Sequence, residues 1–524
     1  MADTPMVTLT IEGREVQVPA GTSILEAAKV AGVLVPHYCY HPGLPVAGVC
    51  RMCLVEVEKA PKLAPACATA VADGQVVHVH SESSLKARQG VLELLLINHP
   101  LDCPICDQAG ECELQDYTFR EGRAEGRLGP EPKRFNPVED FGGDVLYVPN
   151  RCILCTRCVR FMDEVAQEPV LNVSERGDRA VIGKFEGQDL THAWASNVVD
   201  LCPVGALLSK DFLNKARAWE LDRTPSICPN CTQGCNSILE TRDNVVVRMR
   251  PRSNPDVNQW YLCDEGRLDY KWLSPATRIE APLVRQADRL SAVDWDVAIR
   301  AAATMLGGSR VVALVSPMLS NESLYAASRV VARTGGTGVF RVVTGPEAPL
   351  PGVPDLALRT ERAANVRGAE LLGFRKSATP LDEVRAGDVL LVVGETLTPA
   401  DAAAVARAGQ VIVIASTLVE DARGAAVALP TSTMAEEEGT FTNLRGRVQR
   451  YFQATAAPGM SRPAWWILAD LLTQLGEPTN FFVAGEVFAA LAAAQAEFAG
   501  MSYDVLGLKG RITSGARVAQ EAAR

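Results

Sequence analysis

All fifteen cysteines of this 524-residue chain lie between Cys39 and Cys263, and the second half has none. In a reducing compartment such spacing reads as metal ligation or redox chemistry rather than as a disulfide framework. A secreted disulfide protein is the competing reading. The N-terminal stretch MADTPMVTLTIEGREV speaks against it, with early acidic residues and no apolar core of signal-peptide length, so the chain is expected to be intracellular. Its length calls for three or four domains rather than one core. With 47% hydrophobic and 22% charged residues, disordered, collagenous and membrane classes are poor fits. Fifty-two basic against 62 acidic residues give a net charge of −10, so no nucleic-acid partner is expected. The most apolar runs, Val311 to Val315 and Val389 to Val393, are strand-sized, far below the roughly 20 residues that span a bilayer. Membrane contact would have to come through partners.

Periodicity divides the chain. Residues 7 to 18, VTLTIEGREVQV, alternate around a Gly-containing turn and predict a β-hairpin. Ser23 then supplies an N-cap, with Glu26 three residues on and a helix over Ile24 to Val30. From about 90 to 273 the chain is dense in Cys, Pro, Gly and Arg, with short helical pieces such as Val91 to Ile97, and bound metal is expected to hold it together. A boundary is expected near 274, where Ala-rich helices begin to alternate with strand-like Val311 to Ser316, Val389 to Gly394 and Val411 to Ser416, the pattern of a parallel α/β sheet. The end, 487 to 524, reads as a loosely packed helix with a tail.

The cysteines fall into four sets. The first is Cys39-x10-Cys50-x2-Cys53-x13-Cys67. Thiolates supply the charge and soft sulfur that iron prefers, and Cys-x2-Cys in a tight loop near Gly48 brings two sulfurs to one group. The second is Cys103-x2-Cys106-x5-Cys112, one ligand short, with His99 four residues ahead at the end of the apolar stretch Gly90 to Ile97. Imidazole can replace thiolate at iron, so His99 is the expected fourth ligand, while His37, His41, His78, His80 and His192 read as ordinary hydrogen-bonded or solvent-facing side chains.

The third set, Cys152-x2-Cys155-x2-Cys158, is a bacterial-ferredoxin run whose Cys-Pro is displaced to Cys202-Pro203. In two-cluster ferredoxins that cysteine ligates the other cluster. Counting back from Cys202 by the same steps gives Val198, Ala195 and His192, and the Cys-Pro of the first triplet would begin at Met162; none is cysteine. A two-cluster fold reduced to one cluster, held by Cys152, Cys155, Cys158 and Cys202, accounts for this. The fourth set is Cys228-x2-Cys231-x3-Cys235-x27-Cys263. Four thiolates also suit zinc, which stays open for the first and fourth sets. Every cysteine is used.

The flanking texts HYCYHPGL, GVCRMCLVEVE, NHPLDCPICDQAGECELQD and RCILCTRCVRFMDE, in that order over residues 5 to about 273, resemble the iron–sulfur G-subunit family of respiratory NADH-quinone oxidoreductases (complex I). SICPNCTQGCN and WYLCDEGR around the fourth set resemble the [4Fe–4S] domain of molybdopterin oxidoreductases, and EEGTFTNLRGRVQR, residues 437 to 450, looks like a recurrent motif of that superfamily or else a Gly-bearing turn after a helix. The resemblance implies an α+β multidomain chain. A β-grasp [2Fe–2S] ferredoxin would occupy 1–85, a [4Fe–4S] domain with one His and three Cys ligands 86–125, a bacterial-ferredoxin-like [4Fe–4S] module 126–222 and a molybdopterin-oxidoreductase-type [4Fe–4S] domain 223–279. A truncated α/β molybdopterin-oxidoreductase-like domain would fill 280–524, and with no cysteine there to ligate molybdenum no molybdopterin is expected.

The implied cofactors are one [2Fe–2S] and three [4Fe–4S] clusters, one per set. The implied function is a conductor: electrons from NADH, via FMN in a partner subunit, would pass through these clusters toward quinone, with proton translocation by the whole complex. Partners would be the FMN/NADH-binding subunit and other peripheral-arm subunits, and the location peripheral, at the cytoplasmic face of the inner membrane. No G-x-G-x-x-G after a strand and no G-x-x-x-x-G-K-[ST] occurs, so nucleotides must bind elsewhere, and no acid, base or nucleophile is assigned. The alternatives are the electron-input subunit of an NAD-linked hydrogenase or formate dehydrogenase, and a structural zinc protein.

Overall fold

In the computed structural model the described residues are 5–522, apart from 128, 130, 131, 133, 136, 137 and 419–423. The first residues of the N-terminal stretch and the last two of the C-terminal tail therefore lie outside them. The chain forms two units, Met1–Leu221 with Leu350–Pro354, and Asp222–Pro349 with Asp355–Arg524.

The first unit opens with the expected hairpin. Met6–Ile11 pairs antiparallel with Arg14–Pro19, and Glu12 and Gly13 turn the chain with φ of 48° and 73°. Ser23 caps the helix Ile24–Val30, its side chain accepting from the Glu26 N–H, and Ile24, Leu25, Ala27 and Ala28 pack against the sheet. Val76–His78 runs parallel to the first strand, and Leu54–Val57 and Ala64–Pro65 complete five strands, so one helix lies across a mixed β-grasp sheet.

The next helix is longer than its apolar stretch. It spans Glu82–Leu96, beginning eight residues before the Gly90 read from sequence, because Arg88 interrupts the apolar pattern yet is fully buried. Arg88 is neutralised by Glu121 at the end of the helix Glu113–Glu121 and donates to the Val79 carbonyl at 2.9 Å. Beyond it, Leu207–Ser209, Val145–Tyr147 and Glu139–Gly142 form a three-stranded sheet, and Leu171–Ser174 pairs with Val181–Lys184.

The second unit opens on an antiparallel sheet of Asp222–Ile227, Asn236–Arg242 and Val245–Pro251. Its body is an eight-stranded sheet whose centre is parallel, in the order Val427–Pro430, Gln410–Ala415, Val389–Val393, Val311–Val315, Thr337–Phe340. Alternate residues of one strand enter different cores: Val311, Ala313 and Val315 meet the helices Trp295–Gly308 and Asn321–Arg333, while Val312 and Leu314 face the opposite layer. Burial on both faces is why these strands read as unbroken apolar runs. The C-terminal segment is not the loose helix expected. Ala484–Ala494 buries Val487, Phe488 and Leu491 in the main core, and Arg511–Ile512 adds a strand to Arg447–Tyr451. The 437–450 motif is a hairpin of Gly439–Thr442 and Arg447–Tyr451, which follows the short 3-10 helix Met434–Glu436 and carries Gly446 in its turn.

Of the carboxyl groups buried in this unit, two are pushed strongly upward. Glu322, fully buried, accepts from the Thr440 N–H at 2.9 Å and the Tyr503 hydroxyl at 2.8 Å, and burial pushes it up to about 7. Burial likewise pushes Glu437, which accepts from the Tyr451 hydroxyl at 3.0 Å, up to about 8. A carboxyl raised on folding stabilises fully below its unfolded value near 4.5, and that contribution is lost as pH rises through the folded value. The unfolding free energy of this unit should fall by on the order of 3 kcal/mol per such group between pH near 4.5 and slightly alkaline pH. Denaturation at a series of pH values checks this, and E322Q should flatten the profile by the share of that group.

Among the described residues, no helix is long and apolar enough to cross a membrane.

Candidate metal centres

The loop between the first helix and the strand Leu54–Val57 carries three members of the first set. Gly48 and Arg51 take left-handed φ of 62° and 57°, which folds the loop back on itself. The Cys39 thiol meets those of Cys50 and Cys67, and Cys67 meets Cys53, so the four sulfurs form one connected group. Hydrogen bonds from the neighbouring thiols hold Cys39 far below the ordinary thiol range and Cys53 down to about 7, with Cys50 and Cys67 raised in return.

In the second set Cys103, Cys106 and Cys112 lie within electrostatic reach of one another, and burial pushes Cys112 up to about 11. His99, Cys103 and Cys112 line one cavity of about 700 Å³ with Leu96 and Phe119. Burial pushes His99 below its usual range, which keeps the imidazole neutral, the form that ligates metal. Cys106 points to the loop after Cys202, where Gly205 leaves room for its sulfur.

Cys152, Cys155, Cys158 and Cys202 wall a single small cavity with Tyr147. Leu154 and Thr156 both take positive φ, 53° and 61°, curling the triplet around it. Burial pushes Cys152 and Cys202 up to about 11 and Cys155 up to about 12. The positions a second cluster would need are filled instead: Met162, Ala195 and Val198 are core residues at 0%, 1% and 0% exposure.

The fourth set is the most enclosed. Cys228, Cys231, Cys235 and Cys263 are 3–5% exposed, mutually within electrostatic reach, and pushed upward by burial. A Cβ on Gly266 would stand 3.0 Å from Cys228 Sγ and 3.2 Å from Cys263 Sγ, so the backbone leaves a cradle there. The 439–451 hairpin holds the other side. Asn443 donates to the Gln233 carbonyl at 3.2 Å, Gln449 to the Gly234 carbonyl at 2.8 Å, and the Leu444 N–H to the Thr232 carbonyl at 2.9 Å.

Some residues around these sets escape sequence reading. Tyr38, fully buried, has a hydroxyl with no hydrogen-bond partner among the described residues and lies in the fields of Cys50 and Cys112. Ser226 and Ser237, paired across two strands and each two residues from a fourth-set cysteine, also bury hydroxyls without a partner among the described residues. Orphan buried donors beside thiols suit a sulfur-bearing group, whose sulfurs accept hydrogen bonds. Among the described residues no group of three or more His, Cys, Asp or Glu side chains forms a ready single-ion site.

At the carboxyl ends of the central strands of the second unit lies a cavity of about 480 Å³, lined by Glu265, Asp269, Glu395 and Glu437 among others. Its Arg362 is tied to Glu265 at 2.7 Å. Burial raises Glu395 and Glu437 of this lining, and no cysteine follows Cys263 in the sequence.

Comparison with known proteins follows the same order along the chain. Residues 4–82 match a 2Fe-2S iron-sulfur cluster binding domain, 88–127 the NADH-ubiquinone oxidoreductase-G iron-sulfur binding region, and 142–208 the ferredoxin-like domain of NADH-quinone oxidoreductase subunit 3. Residues 221–273 match the molybdopterin oxidoreductase Fe4S4 domain and 360–474 molybdopterin oxidoreductase. The mitochondrial NADH-ubiquinone oxidoreductase 78 kDa subunit of Candida albicans is 38% identical over 394 residues, 74% of this chain and 52% of that one. The NADH-quinone oxidoreductase G-subunit of Rickettsia bellii is 39% identical over 333 residues, 63% of this chain and 49% of that one. The crystal structure of an NAD+-reducing [NiFe]-hydrogenase in the H2-reduced state matches with a TM-score of 0.37 and 30% identity, over 40% of this chain and 90% of that one. The chain spans about half the length of the curated relatives it matches. With iron–sulfur and molybdopterin-type domains in the order of its four cysteine sets, and relatives 38% and 39% identical, the chain belongs to the iron–sulfur G-subunit family of NADH-quinone oxidoreductases.

Proposed function

We propose that this chain carries electrons from NADH, delivered through FMN in a partner subunit, toward quinone, as part of a complex that couples the transfer to proton translocation. The observation that carries the reading is that all fifteen cysteines belong to four sets and that the thiols of each set lie together in the fold. Cys39, Cys50, Cys53 and Cys67 would hold a [2Fe–2S] cluster. Three [4Fe–4S] clusters would be held by His99, Cys103, Cys106 and Cys112, by Cys152, Cys155, Cys158 and Cys202, and by Cys228, Cys231, Cys235 and Cys263. When bound, such clusters accept and release single electrons at potentials set by ligands, hydrogen bonds and solvent exposure.

The residues of the chain do the rest. Buried thiols give up protons as metal binds, near-complete enclosure of the fourth set keeps water from it, and a neutral His99 leaves the second site one unit less negative than an all-thiolate one. The modules would be 1–85, 86–125, 126–222, 223–279 and 280–524. The partners would be the flavin-bearing and other peripheral-arm subunits, at the cytoplasmic face of the inner membrane.

Anaerobic purification with analysis of iron, sulfide, zinc and molybdenum, and EPR after dithionite, tests the reading. About 14 irons per chain are expected, from one two-iron and three four-iron clusters, with no molybdenum. Stoichiometric zinc with little iron would end it, and bound molybdenum would move the function to a catalyst of the formate-dehydrogenase type.

A further inference from the structure

We propose that Arg160 is a positioning residue that couples the first cysteine set to the third. One nitrogen of its guanidinium, Nη2, donates to the Cys39 carbonyl at 2.5 Å and to the Cys155 carbonyl at 3.3 Å. A ligand residue of each set is thus reached through a single atom. The other nitrogens are also engaged, Nη1 with the Pro45 carbonyl and Nε with Thr156 Oγ1 at 3.3 Å, so the plane of the group is fixed.

Arg157, three residues earlier and 4% exposed, secures the same seam. It donates to the Tyr40 carbonyl at 2.8 Å and the Leu201 carbonyl at 3.1 Å, the neighbours of Cys39 and Cys202, and pairs with Glu113 beside Cys112 at 3.3 Å. The CxxCxxC segment RCILCTRCVR therefore contributes two arginines that face outward from its own site onto the first one.

Two consequences follow, both resting on the reading that these sets hold iron–sulfur clusters. The route from Cys39 Sγ to Cys155 Sγ runs over covalent bonds and two hydrogen bonds at one nitrogen, with no gap in van der Waals space. The exchange it serves moves one electron, lost at one site and gained at the other, with no bond made or broken. A fixed positive charge at hydrogen-bond distance from a ligand residue of each site also favours the more negative, reduced form at both, so both potentials are raised together. Arginine suits the task because its planar fork spans two carbonyls and keeps its charge when buried.

Redox titration of the full-length, anaerobically purified protein, followed by EPR with iron and sulfide quantified, tests this. In R160Q the reduction equilibrium constants of the first and third sites should both fall at least tenfold, equivalent to 59 mV for one electron. R160K keeps the charge and should hold both constants within threefold, while freeze-quench EPR shows exchange between the two sites slowed at least tenfold. R367Q, at an exposed pair with Glu370, should change neither. An iron-replete R160Q in which one site or neither shifts would overturn the coupling role, as would an R160K that shifts both sites as far as R160Q. If R160Q fails to retain iron, the R160K result decides. Wild-type protein without iron would instead defeat the functional reading itself.

Discussion

A methyl group on Gly205 is expected to strip the metal from the second site and leave the first loaded. An alanine Cβ there would fall well inside contact distance of Cys106 Sγ and 3.1 Å from the Gln108 Cβ. The loop cannot easily retreat, because the Pro203 carbonyl accepts from the Glu113 N–H at 3.0 Å and the Ala206 carbonyl from the Val148 N–H at 2.8 Å. Cys106 must therefore swing away and leave the set a ligand short. In G205A the iron content should fall by about four per chain, and the signal of the second site should vanish from EPR while the [2Fe–2S] signal persists. A full complement of iron in G205A would mean that Cys106 is not the ligand proposed.

R88M should destabilise the first unit by about 3–5 kcal/mol, the usual consequence of removing one partner from a buried ion pair. Arg88 is wholly buried, and its loss leaves the Glu121 carboxylate and the Val79 carbonyl without their donor. Most of that loss comes from the stranded charge rather than from the bond itself, so adding E121L should recover the larger part. Urea denaturation of wild type, R88M and the double variant measures both. A single variant within about 1 kcal/mol of wild type would show that the pair behaves as a surface bridge.

The parts of this chain that could be read from sequence are those where local pattern and final environment agree. The Glu12–Gly13 hairpin, the Ser23 cap and the doubly buried strands Val311–Val315 and Val389–Val393 each carry their cause within a few residues. The cysteine sets were legible as spacing, because a loop that must deliver two sulfurs to one place tolerates few lengths. Long-range burial hid the rest. Arg88 disguised eight residues of its helix because its partner lies 33 positions away, and the stretch from 487 onward read as loose because Val487, Phe488 and Leu491 find their core on distant helices. Tyr38, Asn443 and Gln449 are polar residues of ordinary context, and only tertiary structure brings them beside the cysteines.

The grip of the 439–451 hairpin on the Thr232–Gly234 loop also has a bearing on biogenesis. The ligand residues of the first three sets have all been synthesised once Cys202 leaves the ribosome, whereas the fourth loop lacks its clasp until Gln449 emerges. At ordinary rates of synthesis, about 5–20 residues per second, Cys263 waits on the order of ten seconds or more for that clasp. During the wait its thiols are open to stray metals and oxidants, so a nascent chain of this design gains from protection of its unfinished loop.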